Sequence, residues 1–168
     1  MIEKVKPSVY LETSVISYLT SRTSRDIVVV AHQEVTREWW QEQRKHYRLV
    51  ISEVVLQEVT TGDDEAGDKR FDLIKGLEVL TITEQVQDLA NAFVARRILP
   101  MKAMADALHI AISAIHHVQF LMTWNCKHIA NAVIEKMIKQ VCEEYGYEPT
   151  LLCTPLELMD WQDYGATT

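Results

Sequence analysis

Apolar residues fall along this chain in short runs that alternate with stretches of helical spacing. Runs at 9–11, 48–51, 78–82, 119–123 and 151–153 are brief, apolar and bounded by polar or turn residues, which predicts five short strands. Between them the apolar positions recur every three or four residues. This predicts helices over 14–19, over 26–46 with Ser24 as cap, and from a Ser52 cap through Glu53 to Glu58. Further helices are predicted at 64–76, at 84–98 behind a Thr83 cap, at 101–118 and at 130–145, the last closed by Gly146. The turn Thr61-Gly-Asp-Asp64 and a turn or short helix at 155–159 complete the pattern. Strands alternating with helices imply an α/β domain with a mainly parallel five-stranded sheet and helices on both faces.

The polar residues at the strand ends carry the chemistry. The first strand runs straight into Glu12, followed at once by the hydroxyls of Thr13 and Ser14. An acid where a strand turns into a helix stands at the rim of a parallel sheet, the place where open α/β sheets bind ligands. Three more polar positions fit that rim: Glu58 on the helix after the second strand, Asp106 in Met104-Ala-Asp-Ala-Leu-His-Ile-Ala111, and Asn125 just past the fourth strand. Asp106 stands out, because Asp is unfavourable inside a helix and an unpaired buried carboxylate costs several kcal/mol. Either it faces water or pairs with Lys102 one turn earlier, or it belongs to a hard-cation site. A cluster of oxygen donors suits Mg²⁺ or Mn²⁺, which steadies the charge on a phosphate during its transfer.

Composition narrows the options. The 168 residues suffice for one domain, with a core at about 8–159 and a frayed tail at 160–168. With only 5 Gly and 4 Pro there is no flexible joint. The first residues lack the apolar core of a signal peptide, and no apolar run reaches membrane-spanning length, which together suggest a cytoplasmic protein. Cys126, Cys142 and Cys153 show no paired spacing, which argues against a disulfide framework or a structural zinc site and makes Cys142 and Cys153 core filler. A net charge of −7 is not that of a general nucleic-acid binder and suits a basic partner.

His109 and His116 share a helix face, but the spacing of a zinc site is missing, and packing at the helix edge is favoured, with His109 the exception to watch because it lies one turn from Asp106. Trp39-Trp40 reads as core or interface ahead of base stacking. Arg22, Arg25, Arg37, Arg44, Lys45 and Arg48 form either a phosphate-facing side or a solvated helix face. No phosphate-binding glycine loop and no Gly-x-Ser-x-Gly elbow is present.

Four strings, taken in order, carry a resemblance. Val9-Tyr-Leu-Glu-Thr-Ser-Val-Ile16, Ser52-Glu-Val-Val-Leu-Gln-Glu-Val59, Ala105-Asp-Ala-Leu-His-Ile-Ala111 and Leu121-Met-Thr-Trp-Asn125 together resemble the PIN-domain family, and within it the VapC-like toxins of type II toxin–antitoxin pairs. The resemblance covers about residues 8–159. It implies a three-layer α/β/α domain and a Mg²⁺- or Mn²⁺-dependent endoribonuclease whose partners are RNA, a small antitoxin and a second copy of the chain. By motif match, Glu12, Glu58, Asp106 and Asn125 take the four catalytic, metal-binding positions, with Thr13 and Thr123 as accessory hydroxyls. Two positions depart from the family pattern, which has Asp at both: Glu12 is one methylene longer and Asn125 is neutral. The alternative these changes raise is a non-catalytic PIN-like module that binds RNA or a protein.

Overall fold

The computed structural model describes residues 5–61 and 64–159; part of the expected turn at 61–64 and the whole tail at 160–168 lie outside them. Five strands form one sheet: β1 (Ser8–Leu11), β2 (Arg48–Ser52), β3 (Glu78–Leu80), β4 (Phe120–Met122) and β5 (Leu151–Cys153). The order is β3-β2-β1-β4-β5 and all four pairings are parallel, so the sheet is wholly rather than mainly parallel. The α-helices among the described residues are α1 (Thr13–Thr20), α2 (Ile27–Glu38), α3 (Glu53–Val59), α4 (Asp64–Ile74), α5 (Glu84–Ala95), α6 (Met104–Ile115) and α7 (Ala132–Glu144).

β1 is buried at all four positions, as a central strand covered on both faces must be. Val9, Tyr10 and Leu11 join one core with Val50, Ile51, Leu121 and Met122 of the neighbouring strands and with Ala107, Ile110 and Ala111 of α6. Leaving β1, the chain builds outward through β2 and β3 on one side, then crosses back to place β4 and β5 on the other. The reversal lies between β1 and β4, and the crevice at such a switch point, beyond the carboxyl ends of the strands, is where side chains from both halves of a sheet can meet.

Several expected helices begin or end differently: those expected to reach 76 and 98 stop at Ile74 and Ala95, and three others also differ. The helix expected over 26–46 stops at Glu38, continues as a wider π-type turn at Trp39–Gln43 and tightens to 3₁₀ at Arg44–His46. Trp39 lies in that widened turn fully buried, and its indole donates to Leu158 O at 3.2 Å. Its cap is Asp26, which accepts from the N–H groups of Val28 and Val29, while Ser24 accepts from Asp26 N. The helix expected from 101 opens with a 3₁₀ turn, Met101–Ala103, and becomes α-helical only at Met104. Asp106 therefore sits in the first turn of α6, where the exposed N–H groups and the dipole favour an acid, and not in a helix interior. α7 starts at an Asn131 cap, two residues later than expected.

Ser52 and Thr83 cap α3 and α5 as the sequence indicates. The three cysteines are free; burial pushes the thiols of Cys142 and Cys153 up to about 11 and about 12, which keeps them protonated. No described helix is long and apolar enough to cross a membrane.

Candidate functional site

Glu12 is where β1 becomes α1. Its backbone N–H donates to Met122 O at 3.1 Å, extending the β1–β4 ladder by one step, and its side chain caps α1 by accepting from Ser14 N at 3.1 Å. Ser14 Oγ and Thr123 Oγ1 both donate to Glu12 Oε2, at 2.5 and 2.6 Å. Thr123, just past β4, is completely buried and its hydroxyl also accepts from Asn125 N at 2.8 Å. Glu12 is only 6% exposed, and its carboxylate is held by neutral donors.

Glu58 approaches from α3. Its Oε2 accepts from Thr13 Oγ1 and meets His109 Nε2 at 3.0 Å. Burial pushes the Glu58 carboxyl up, but hydrogen bonds from His109 and the Thr13 hydroxyl outweigh it and hold the group below its ordinary value of 4.5. His109 is wholly buried on α6, with Nδ1 2.6 Å from the Tyr10 hydroxyl. Glu12, Glu58 and His109 each bring a ligand-type atom within 4.8 Å of the others, and they are the only such group among the described residues.

Asp106 and Asn125 make a second, adjoining unit. Asn125 Nδ2 donates to Asp106 Oδ1 at 2.9 Å, and His128 Nδ1 lies 2.9 Å from Asp106 Oδ2. Asn125 Oδ1 accepts from the N–H groups of Lys127 and His128. The two units are joined through Thr123, which bonds to Glu12 with its hydroxyl proton and to Asn125 with its oxygen. Lys102 forms no ion pair with Asp106, and among the described residues no Lys or Arg pairs with Glu12, Glu58 or Asp106.

Hydrogen bonds through Thr123 and Asn125 link Glu12 to Asp106, Thr13 bonds to Glu58, and Glu58 and Glu12 approach within 4.8 Å of each other. Three further residues take part. Ser14 reads in the sequence only as a hydroxyl after Glu12. His109 is the exception among the helix-edge histidines, marked by its place one turn from Asp106. His128 carried no signal beyond its three-residue distance from Asn125. His116 turns away, with Nε2 2.9 Å from Thr81 O.

The basic residues of the first third do not gather as one free stripe: Arg37 pairs with Glu34, Arg48 with Glu78, and the Arg44 guanidinium covers Trp40 at 4.5 Å. Carboxylates brought together with no lysine or arginine to balance them are the donor set a hard divalent cation needs, so the residues present fit Mg²⁺ or Mn²⁺.

The PIN domain family profile matches residues 9–125. A comparison with curated proteins finds no match. Among solved structures, VapC20 of Mycobacterium tuberculosis, a toxin described as cleaving the Sarcin-Ricin loop, matches with a TM-score of 0.56 and 17% identity over 72% of this chain and 92% of its own. VapBC2 of Rickettsia felis, solved on a DNA fragment from its promoter, matches with 0.56 and 15% identity over 87% and 97%. VapBC-1 of nontypeable Haemophilus influenzae gives 0.54 and 15% over 88% and 98%. At such identities the likeness is one of fold.

Proposed function

The chain belongs to the PIN domain family, and from that premise we propose that it is a divalent-metal-dependent endoribonuclease, the cytoplasmic toxin of a type II toxin–antitoxin pair. The observation that carries the reading is the meeting of Glu12 and Glu58 at the β1–β4 switch point with no lysine or arginine to neutralise them. Support for the toxin assignment comes from the fold neighbours, which include a toxin and toxin–antitoxin complexes. A small antitoxin and a second copy of the chain are the proposed partners, and the net charge of −7 suits a basic segment on the former.

In this reading Glu12, Glu58 and Asp106 hold Mg²⁺ or Mn²⁺. A cation bound there supplies Lewis-acid stabilisation of the charge that builds on a phosphodiester. The chain's own residues provide order. Thr123 and Ser14 lock Glu12, Thr13 fixes Glu58, and Asn125 and His128 fix the two oxygens of Asp106. Asn125 assists by holding Asp106, since its own oxygen already accepts two backbone N–H groups.

The alternative, a non-catalytic module, has one observation in its favour: the fourth position is an amide with both ends engaged within the protein. One assay separates the two. RNA is incubated with wild type and Asp106→Asn over a Mn²⁺ series. Metal-dependent cleavage by the wild type alone is expected; equal RNA turnover by both proteins, or none by either, would overturn the nuclease reading.

A further inference from the structure

A buried chain of polar groups runs beneath the acidic site. Ser52 Oγ lies 2.6 Å from the Tyr10 hydroxyl, which lies 2.6 Å from His109 Nδ1, and His109 Nε2 lies 3.0 Å from Glu58 Oε2. Ser52, Tyr10 and His109 are each 0% exposed, so no solvent completes their hydrogen bonding. The direction of the protons follows from counting donors and acceptors. Ser52 Oγ already accepts from Val55 N as the cap of α3, and its only other partner is Tyr10. If Tyr10 donated to Ser52, the serine proton would be buried with nothing to receive it. Every proton finds an acceptor when Ser52 donates to Tyr10, Tyr10 donates to His109 Nδ1, and His109 carries its proton on Nε2, aimed at Glu58. Tyr10 suits this role, since burial drives its pKa well above the ordinary value and keeps the hydroxyl protonated.

We infer that His109 is a positioning residue for the metal site and not a ligand of it. Its Nε2 has no free lone pair to offer a cation, although a ring nitrogen lies within 4.8 Å of carboxylate oxygens of Glu12 and Glu58. Instead Nε2–H and the Thr13 hydroxyl converge on one oxygen of Glu58, Oε2, and no hydrogen bond engages Oε1 among the described residues. The clamp leaves Oε1 as the atom presented to the cation. Ser52 and Tyr10 set the tautomer that makes the clamp work. This inference rests on the proposed metal site and adds a feature the four acid and amide positions do not contain.

The test reads the metal directly. Mn²⁺ is titrated into the wild type, His109→Ala and His109→Gln, with binding followed by electron paramagnetic resonance, and the bound wild-type ion is probed for nitrogen coupling. Glutamine can place an amide N–H near the position of Nε2–H, so it should keep affinity close to wild type. Alanine should weaken binding by about 10-fold or more, as loss of an outer-shell partner typically does. The wild-type spectrum should show no directly coordinated nitrogen; this readout needs no variant and stands even if alanine disturbs folding. A coordinated-nitrogen signal, or equal weakening by glutamine and alanine, or no weakening by alanine in a folded protein, would overturn the positioning role and leave the metal site intact. A wild type that binds no Mn²⁺ would remove the metal reading and this inference together.

Discussion

Asn125 donates its side-chain Nδ2 to Asp106 Oδ1 at 2.9 Å, and its Oδ1 accepts from the N–H groups of Lys127 and His128. An amide serves both ends of this arrangement, and a carboxylate cannot, because it has no proton to give Asp106. The neutral Asn125 is thus integrated into the local structure.

Replacing it with an acid should consequently cut two ways. Asn125→Asp turns an attractive contact with Asp106 into a repulsive one and should lower metal-free stability by about 1–3 kcal/mol. The added charge should tighten Mn²⁺ binding and raise RNA cleavage most at low metal. Thermal melts with and without Mn²⁺, beside a cleavage series, check both arms. A mutant no better than wild type at any metal level would show that Asn125 does not limit the site.

Asp106→Asn should remove most of the melting-temperature rise that Mn²⁺ gives the wild type, since a ligand bound only by the folded state stabilises it by mass action. Scanning fluorimetry over a Mn²⁺ series measures this. An undiminished rise in the mutant would put the metal elsewhere.

Glu58 should contribute a pH-dependent share of metal-free stability. Its folded carboxyl titrates below its ordinary value of 4.5, so the contribution is fully present above that value and lost as pH falls through the folded value. Urea denaturation of wild type and Glu58→Gln from pH 7 downward should show a gap that narrows in this acidic window. A gap that stays constant with pH would mean that the charge of Glu58 is not what the fold stabilises.

Thr123→Val should destabilise the protein by about 1–3 kcal/mol, whereas Thr123→Ser should cost much less. Valine removes one of the two hydroxyl donors to Glu12 Oε2, leaving Ser14 alone there, and takes away the acceptor of the Asn125 N–H. Chemical denaturation decides it, and equal losses for the two variants would point to the methyl group rather than the hydroxyl.

Local sequence pattern specifies the kind of fold and the elements on which the candidate acids lie. Short apolar runs such as 9–11 and 119–123 suit strands buried on both faces, and the intervening 3–4 spacing suits only helices, so an α/β domain followed from local pattern. Ser52 and Thr83 marked their helices because a cap bonds to the backbone two or three residues away. Glu12, Glu58, Asp106 and Asn125 were legible through their place after strands or within short motifs. The tertiary structure alone decided what each of these side chains touches. The order β3-β2-β1-β4-β5 sets β1 beside β4, which brings Thr123 to Glu12 across 111 positions of sequence. The burial of Trp39 in a widened turn, the grip of His128 on Asp106 and the Tyr10–His109–Glu58 chain depend likewise on contacts distant in sequence. Periodicity reports which face of a helix is buried, because that depends on neighbours three and four residues away. It carries no information on which partner waits at that face, because the partner is chosen by how the helices and strands pack.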